Sequence, residues 1–254
     1  SLCYLLSGLI FLYNTWRYRW YGIVGLLGLY GLALKLIPVP GYGSGILEPE
    51  GNLVWFIDST LLGKHTWFFA PVSGFDPEGI FSTIPAIAST LLGVQAAHWL
   101  KTGTSRQEIT NHLFIAGHLS LVTGLLLSLW LPINKNLWTS SYAVFVNGWA
   151  LICFAFLYWM IDVKGYRKGT KPFVIFGMNA ITVFTLSELL ASVMWAISWQ
   201  TDGQWTTLHD ALYTLVFLPV ADPVNASLLF AVVFVGLMYC VAWFMWKMKW
   251  FIKI

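Results

Sequence analysis

The chain has 254 residues and is 58% hydrophobic but only 10% charged, against about 25% charged in soluble domains. That composition, with a mean hydropathy of +0.71, excludes an ordinary soluble domain. The apolar runs are continuous rather than alternating, which excludes a membrane β-barrel and leaves an all-α, polytopic helix bundle.

Seven apolar segments follow in chain order, and about seven membrane crossings are expected within one domain over 1–254. They are Leu2 to Tyr13, Tyr21 to Ile37, Ile80 to Leu100, Ile109 to Leu131, Trp138 to Ile161, Phe173 to Trp199 and Val224 to Trp246. The 15 Trp and 11 Tyr suit aromatic belts at the membrane interfaces. Cys3, Cys153 and Cys240 all lie inside apolar segments, without disulfide or metal-ligand spacing, so no metal is expected. Ser1 already stands in an apolar run with no basic region before it. A signal peptide is therefore not expected, and further N-terminal helices are expected upstream.

Lysine and arginine orient the bundle. Arg17, Arg19, Lys101, Arg106, Lys164, Arg167, Lys168, Lys171, Lys247, Lys249 and Lys253 fall on one set of connections, 11 of the 14 basic residues. Only Lys64 and Lys135 fall on the other, and Lys35 can snorkel from the end of the second segment. The basic side reads as cytoplasmic and carries the C-terminus. The net charge of +3 is thereby topological, and no nucleic acid is expected. The outer side carries Glu48, Glu50, Asp58, Asp76, Glu78, Asp202, Asp210 and Asp222 on two long connections. The first includes an amphipathic piece at Leu53 to Leu62. Long loops concentrate function, which places a polar substrate outside.

The third segment opens on Asp76-Pro77-Glu78-Gly79. Asp76 reads as a helix N-cap, Pro77 as the first helical residue and Glu78 as a first-turn anion facing the helix dipole. The same two carboxylates form an acidic mouth suited to a cationic amine. Pro85 should loosen the third helix in its outer half. Asn134-Lys135-Asn136 is an outer turn, and Lys135 could pair with Asp76 or Glu78. Glu188 lies within the sixth segment, where a carboxylate is a functional candidate by default. Asn179 precedes it by nine residues, so the two point opposite ways on a straight helix. A bend, for which Gly177 is placed, would be needed to join them. His98, His112 and His118 read as interfacial or helix-bonding, whereas His65 could shuttle protons in an outer loop. The run from Lys164 through Arg167 and Lys168 to Lys171 signals topology, and its cations could meet the phosphates of a nucleotide-bearing donor.

Several motifs occur together and in order: Leu62-Gly63-Lys64-His65, Phe75-Asp76-Pro77-Glu78-Gly79, Leu92-Gly93-Val94-Gln95-Ala96, Asn134 to Tyr142, Asp162-Val163-Lys164-Gly165 and Gly177-Met178-Asn179. In these the chain resembles the heparan-α-glucosaminide N-acetyltransferase family and its bacterial members, as their C-terminal portion. The resemblance implies a transmembrane acyltransferase of the bacterial inner membrane. It would use cytoplasmic acetyl-CoA as co-substrate and a glucosamine-type amine outside as acceptor. It implies catalytic roles for Asp76, Glu78 and His65, substrate contacts from Asn134, Lys135, Asn136, Asn179 and Glu188, and cofactor contacts from Lys164, Arg167, Lys168 and Lys171. Asp162 would cap or pair with the basic loop. Membrane lipid, an amino sugar, and upstream helices or other membrane subunits are the implied partners. The sequence departs from the family in two respects. The family's catalytic histidine lies in an upstream outer loop, and Leu186-Ser187-Glu188 stands where some members have Gly-His-Glu. An amino-sugar transporter with Glu188 as coupling acid, and a non-catalytic subunit of a larger membrane complex, remain the alternatives.

Overall fold

The computed structural model describes residues 2–201 and 203–252; Asp202 and Lys253, assigned above to the acidic and basic sides, lie outside the described residues. The protein is an all-α membrane protein with one short hairpin, in two compact units, 1–166 and 167–254.

The first unit runs α1 (Leu2–Tyr13), α2 (Trp16–Leu36), α3 (Leu53–Leu62), α4 (Thr83–Thr102), α5 (Arg106–Ser128) and α6 (Ser140–Tyr158), the last continued by a π turn over Trp159–Val163. Two of these bounds, α1 and α3, coincide with the sequence expectation. Three apolar clusters fill the unit. One gathers Tyr30, Leu34, Val54, Phe75 and Leu137. A second joins Ile23 and Leu27 to Ala88, Leu91 and Ala143, and the third joins Leu113 to Leu151 and Ala155. Two long-range hydrogen bonds tie α2 to the 134–140 turn: Tyr30 donates to Leu137 O at 2.5 Å and Ser140 to Leu27 O at 2.6 Å.

α5 and α6 approach through glycines. A Cβ on Gly124 would stand 2.6 Å from the backbone of Phe145, and one on Gly148 would stand 2.5 Å from Leu121 N. The helix backbones meet at these two positions, and Ser120 extends the contact by donating to Val144 O at 2.8 Å. Small residues at a crossing are how membrane helices bring backbones together.

The second unit holds α7 (Lys171–Met178), α8 (Ala180–Ala196), strands β1 (Ser198–Thr201) and β2 (Gln204–Thr207), α9 (Leu208–Leu212) and α10 (Pro223–Lys247). The strands pair antiparallel, with Trp199 opposite Thr206. α9 begins with a capping box between Thr207 and Asp210. The Thr207 hydroxyl and neighbouring His209 hold the Asp210 carboxyl below the usual range.

Three helices among the described residues are long and apolar enough to cross a membrane: Arg106–Ser128, Ser140–Val163 and Pro223–Lys247. The sixth segment is a fourth only if α7 and α8 count together, because they meet at 78°. α2 and α4 have the length, but their charged and polar residues keep them below that apolarity, and α1 is only 12 residues long. The structure thus carries fewer qualifying crossings than the seven expected.

Gly148→Ala tests the α5–α6 contact. Alanine favours a helix over glycine by about 1 kcal/mol, but the backbone overlap should cost about 1–3 kcal/mol. The expected outcome is a lowered unfolding temperature in detergent, against no loss for Gly93→Ala, whose added Cβ meets open space.

Candidate functional site

The site is built on α3. Asn52 starts that helix: its Oδ1 accepts the Trp55 N–H at 2.8 Å, while Nδ2 donates to Pro49 O at 3.2 Å. One face then buries Leu53, Val54 and, one turn on, Asp58, which is 0% exposed. Asp58 Oδ1 accepts two backbone N–H groups from far along the chain, Ile80 at 2.9 Å and Phe81 at 3.1 Å. Its Oδ2 has no hydrogen-bond partner among the described residues and lies against Gly79, where any Cβ would overlap it. Burial pushes the Asp58 carboxyl above the usual aspartate range. The Phe81 and Ile80 N–H bonds pull the other way, and the charge of Asp76 adds to the rise.

This interaction changes what the Asp76 corner is. α4 starts at Thr83, not at Pro77, and residues 77–82 are turns. Asp76 therefore caps no long helix. Its Oδ1 accepts Glu78 N–H at 2.9 Å and its Oδ2 accepts Trp67 N–H at 3.2 Å. The reason is competition: Asp58 takes the N–H groups of residues 80 and 81, which holds the chain in turns before α4. Pro85 is likewise corrected. It lies in the first turn of α4, where a missing N–H leaves no helix bond unmade, so it helps to start the helix rather than loosen it.

His65, Asp76 and Glu78 come together. With Thr66, Trp67 and Pro77 they line a cavity of about 550 Å³. Glu78 and Gly79 also border a second cavity of about 400 Å³, whose other walls include Cys3, Ser82, Thr83 and Trp138. Glu78 is exposed and shared by both, whereas each Asp76 oxygen already accepts a backbone N–H. Trp138 is fixed there by its Nε1–H, which donates to Ser89 Oγ at 3.1 Å.

The other expected site residues are placed elsewhere. Asn134 and Asn136 line a separate cavity of about 400 Å³ with Glu48 and Phe75. Asn134 Oδ1 is occupied in its own turn by Asn136 N–H at 2.9 Å and Leu137 N–H at 3.3 Å. Lys135 is exposed and pairs with neither Asp76 nor Glu78; the one carboxylate contact with a basic side chain of salt-bridge length among the described residues is Asp210 with His209, at 3.2 Å. In the second unit, Asn179 is buried at the α7–α8 break, whereas Glu188 is exposed on α8, so the bend does not join them. Of the basic run, Lys164 lies over Trp159 at 5.3 Å and Lys171 over Trp246 at 5.0 Å. Arg167 and Lys168 are exposed. Asp162 meets Arg106 through its backbone carbonyl, at 2.7 Å, not through its carboxylate. His118 bonds Phe114 O at 2.7 Å, as a helix-bonding histidine should. Among the described residues, no group of three His, Cys, Asp or Glu side chains could hold a metal ion.

Asp58 and Gly79 are the residues that sequence reasoning missed. Asp58→Ala leaves the Ile80 and Phe81 N–H groups unsatisfied and should cost on the order of 2–4 kcal/mol, whereas Asp58→Asn keeps an acceptor oxygen and should cost far less. The folded chain holds the Asp58 proton more firmly than the unfolded chain does. Its contribution is thus complete below the ordinary aspartate pKa and is lost as pH rises through the raised one. Unfolding temperature measured against pH should show that loss in the wild type, with this component absent in Asp58→Asn.

No family model matches the chain. It is 33% identical over 203 residues to the human heparan-alpha-glucosaminide N-acetyltransferase, covering 69% of this chain and 30% of the relative. It is 29% identical over 238 residues to the mouse protein of the same name, covering 82% of this chain and 36% of the relative. The chain thus spans about a third of the length of the curated relatives it matches. These similarities support the heparan-alpha-glucosaminide N-acetyltransferase family for this chain, in whose membrane helical fold His65, Asp76, Pro77 and Glu78 line one cavity.

Proposed function

We propose that this chain is part of a membrane acyltransferase that passes an acetyl group from acetyl-CoA to the amine of a glucosamine-type sugar. The observation that carries the reading is the cavity shared by His65, Asp76 and Glu78, in a relative of named N-acetyltransferases. Glu78 supplies an uncommitted carboxylate for a sugar ammonium. Asp76 braces the loop through two backbone N–H groups. His65 brings an imidazole to that cavity, a group that can take the proton an ammonium must lose before its nitrogen attacks. In the balanced step the ammonium proton leaves through His65 to solvent, the amine nitrogen then bonds the acetyl carbon and gives its second proton to the imidazole, and the carbon–sulfur bond breaks. The thiolate of CoA leaves, and it is protonated as the imidazolium returns its proton.

The sidedness of the chain follows from the charge pattern in this reading. The acceptor is outside, the C-terminus and acetyl-CoA are in the cytoplasm, and the membrane is a bacterial inner membrane. Arg167 and Lys168 are the cations of the basic run that lie on no tryptophan, so they are assigned to the CoA phosphates. Asn134, Lys135 and Asn136 flank the acceptor side. Asn179 and Glu188 are not needed for the step. Upstream helices, or further membrane subunits, complete the enzyme.

The test is radiolabelled acetyl-CoA with glucosamine in vesicles holding the full-length protein. Labelled N-acetylglucosamine is the expected product; sugar uptake without acetylation overturns the enzyme reading in favour of transport. Glu78→Gln should lower acetylation about tenfold or more by removing the charge that holds the ammonium, with CoA binding unchanged. An equal fall in both would return Glu78 to a folding role. Arg167→Ala with Lys168→Ala should raise the acetyl-CoA requirement several-fold without changing that for the amine.

A further inference from the structure

The break between α7 and α8 leaves an unusual set of groups. Asn179 occupies the residue before α8, where an asparagine normally turns its side-chain oxygen onto the free N–H groups of the first turn. Here it makes no such cap, with φ −129° and ψ 32°. Its Oδ1 instead accepts the N–H of Ile252, at 3.4 Å, from the segment after α10. A flipped amide would set donor against donor at Ile252. Nδ2 is therefore left as a donor. Asn179 is 1% exposed, and Nδ2 has no hydrogen-bond partner among the described residues. Three residues on, Thr182 Oγ1 is also buried without a partner. Between them, the first bonded N–H of this region is Val183 onto Asn179 O at 3.0 Å. The N–H groups of residues 180–182 have no acceptor within the helix. An amide nitrogen, a hydroxyl and the free N–H groups of a helix start thus lie within four consecutive residues without a partner among the described residues, at the positive end of the helix dipole.

The charge around this point has the same sense. α7 carries Lys171 at its start and packs on α10, with Lys171 over Trp246. Lys247 ends α10 and Lys249 lies in the turn that leads from it to Ile252. In the sequence all three lysines belong to the basic side of the bundle. Glu188, the one acid on α8, lies more than two turns further along it and is exposed. An apolar group would leave the donors unmade at a cost.

We propose that the start of α8 is an oxyanion site for a phosphate group, carried either by an anionic phospholipid headgroup or by a soluble phosphate ester. Helix starts bind phosphate through such N–H groups, and the basic side of a membrane bundle faces anionic lipid. Opening the Ile252 contact admits the ligand. The inference does not depend on acetyl transfer.

The experiment uses the full-length protein in maltoside micelles, which carry no phosphate. Unfolding temperature is followed as phosphatidylglycerol is added to the micelles, and separately as inorganic phosphate replaces chloride at matched ionic strength. Stabilisation by either supports the site: by the lipid alone it identifies a headgroup, and by inorganic phosphate it identifies a soluble ester. Asn179→Asp keeps the acceptor for Ile252 but turns the donor into a negative oxygen, and should weaken the response about tenfold or more. Thr182→Val keeps shape and removes one donor, and should weaken it several-fold. No stabilisation by either ligand overturns the proposal, as does an Asn179→Asp response equal to that of the wild type. If Asn179→Asp fails to fold, an undiminished response in Thr182→Val overturns it.

Discussion

One buried carboxylate organises the first unit. Asp58 comes from a helix of only 10 residues, yet its Oδ1 holds the chain 22 and 23 residues further on. The two N–H groups it accepts would otherwise join the opening turn of α4. By taking them it delays that helix to Thr83 and keeps 77–82 in turns. Gly79 is the consequence: the backbone must pass so close to Oδ2 that no side chain fits. The corner then turns Glu78 outward between two cavities. A cost comes with the arrangement, because Oδ2 is buried without a partner and the carboxyl is held toward its protonated form. Protein chains retain such costs where geometry matters for function.

The scaffold under this corner uses a different device. With little water to satisfy backbone groups, helices in lipid meet through small residues and hydroxyls. Gly124 and Gly148 bring the α5 and α6 backbones together. Ser140 and Tyr30 reach from one element to a carbonyl of another. Trp138 has φ 48°, a left-handed conformation that strains a non-glycine residue. It is held by its indole bond to Ser89 on α4 and by an edge-on contact with Tyr142 at 5.3 Å. The turn that carries Asn134 and Asn136 is thereby locked to the helix that follows the acidic corner. A loop fixed in this way can present polar groups without reordering them on binding.

The helices were legible because their signal is local. Apolar runs bounded by turn residues marked where the helices of the first unit and α10 lie, with α1 and α3 coinciding in both bounds and α2 beginning earlier than expected, at Trp16. The sixth segment reads as one helix with Gly177 as the residue that could bend it; the helix in fact breaks at Asn179. What local pattern could not show was competition over distance. Asp76-Pro77-Glu78 reads as a helix start by every local rule, and the structure overrides it with a carboxylate from another helix. Asp58 itself looked like one more outer acid. The available signal was its phase: on α3 it lies four residues after Val54, the residue on the buried face, where an unpaired acid is out of place. Lys135 was misjudged for a related reason, since the attraction of opposite charges says nothing about which way a tight turn points them.

The two units answer the same physical question in opposite ways. A helix start exposes N–H groups that require an acceptor. Before α4 the acceptor is internal: Asp58 is buried to meet the N–H groups, and the segment is closed to any anion. At α8 the candidate internal acceptor, the Asn179 oxygen, is diverted to Ile252, which leaves the Asn179 amide nitrogen and the Thr182 hydroxyl without a partner among the described residues. A chain that needed only to end its free N–H groups could have done so at α8 with the residue already in place, by turning the same amide over. That it does the reverse is the physical reason to expect an acceptor from outside the chain at that point. The uncommitted Glu78 carboxylate calls for a donor from outside in the first unit by the same reasoning.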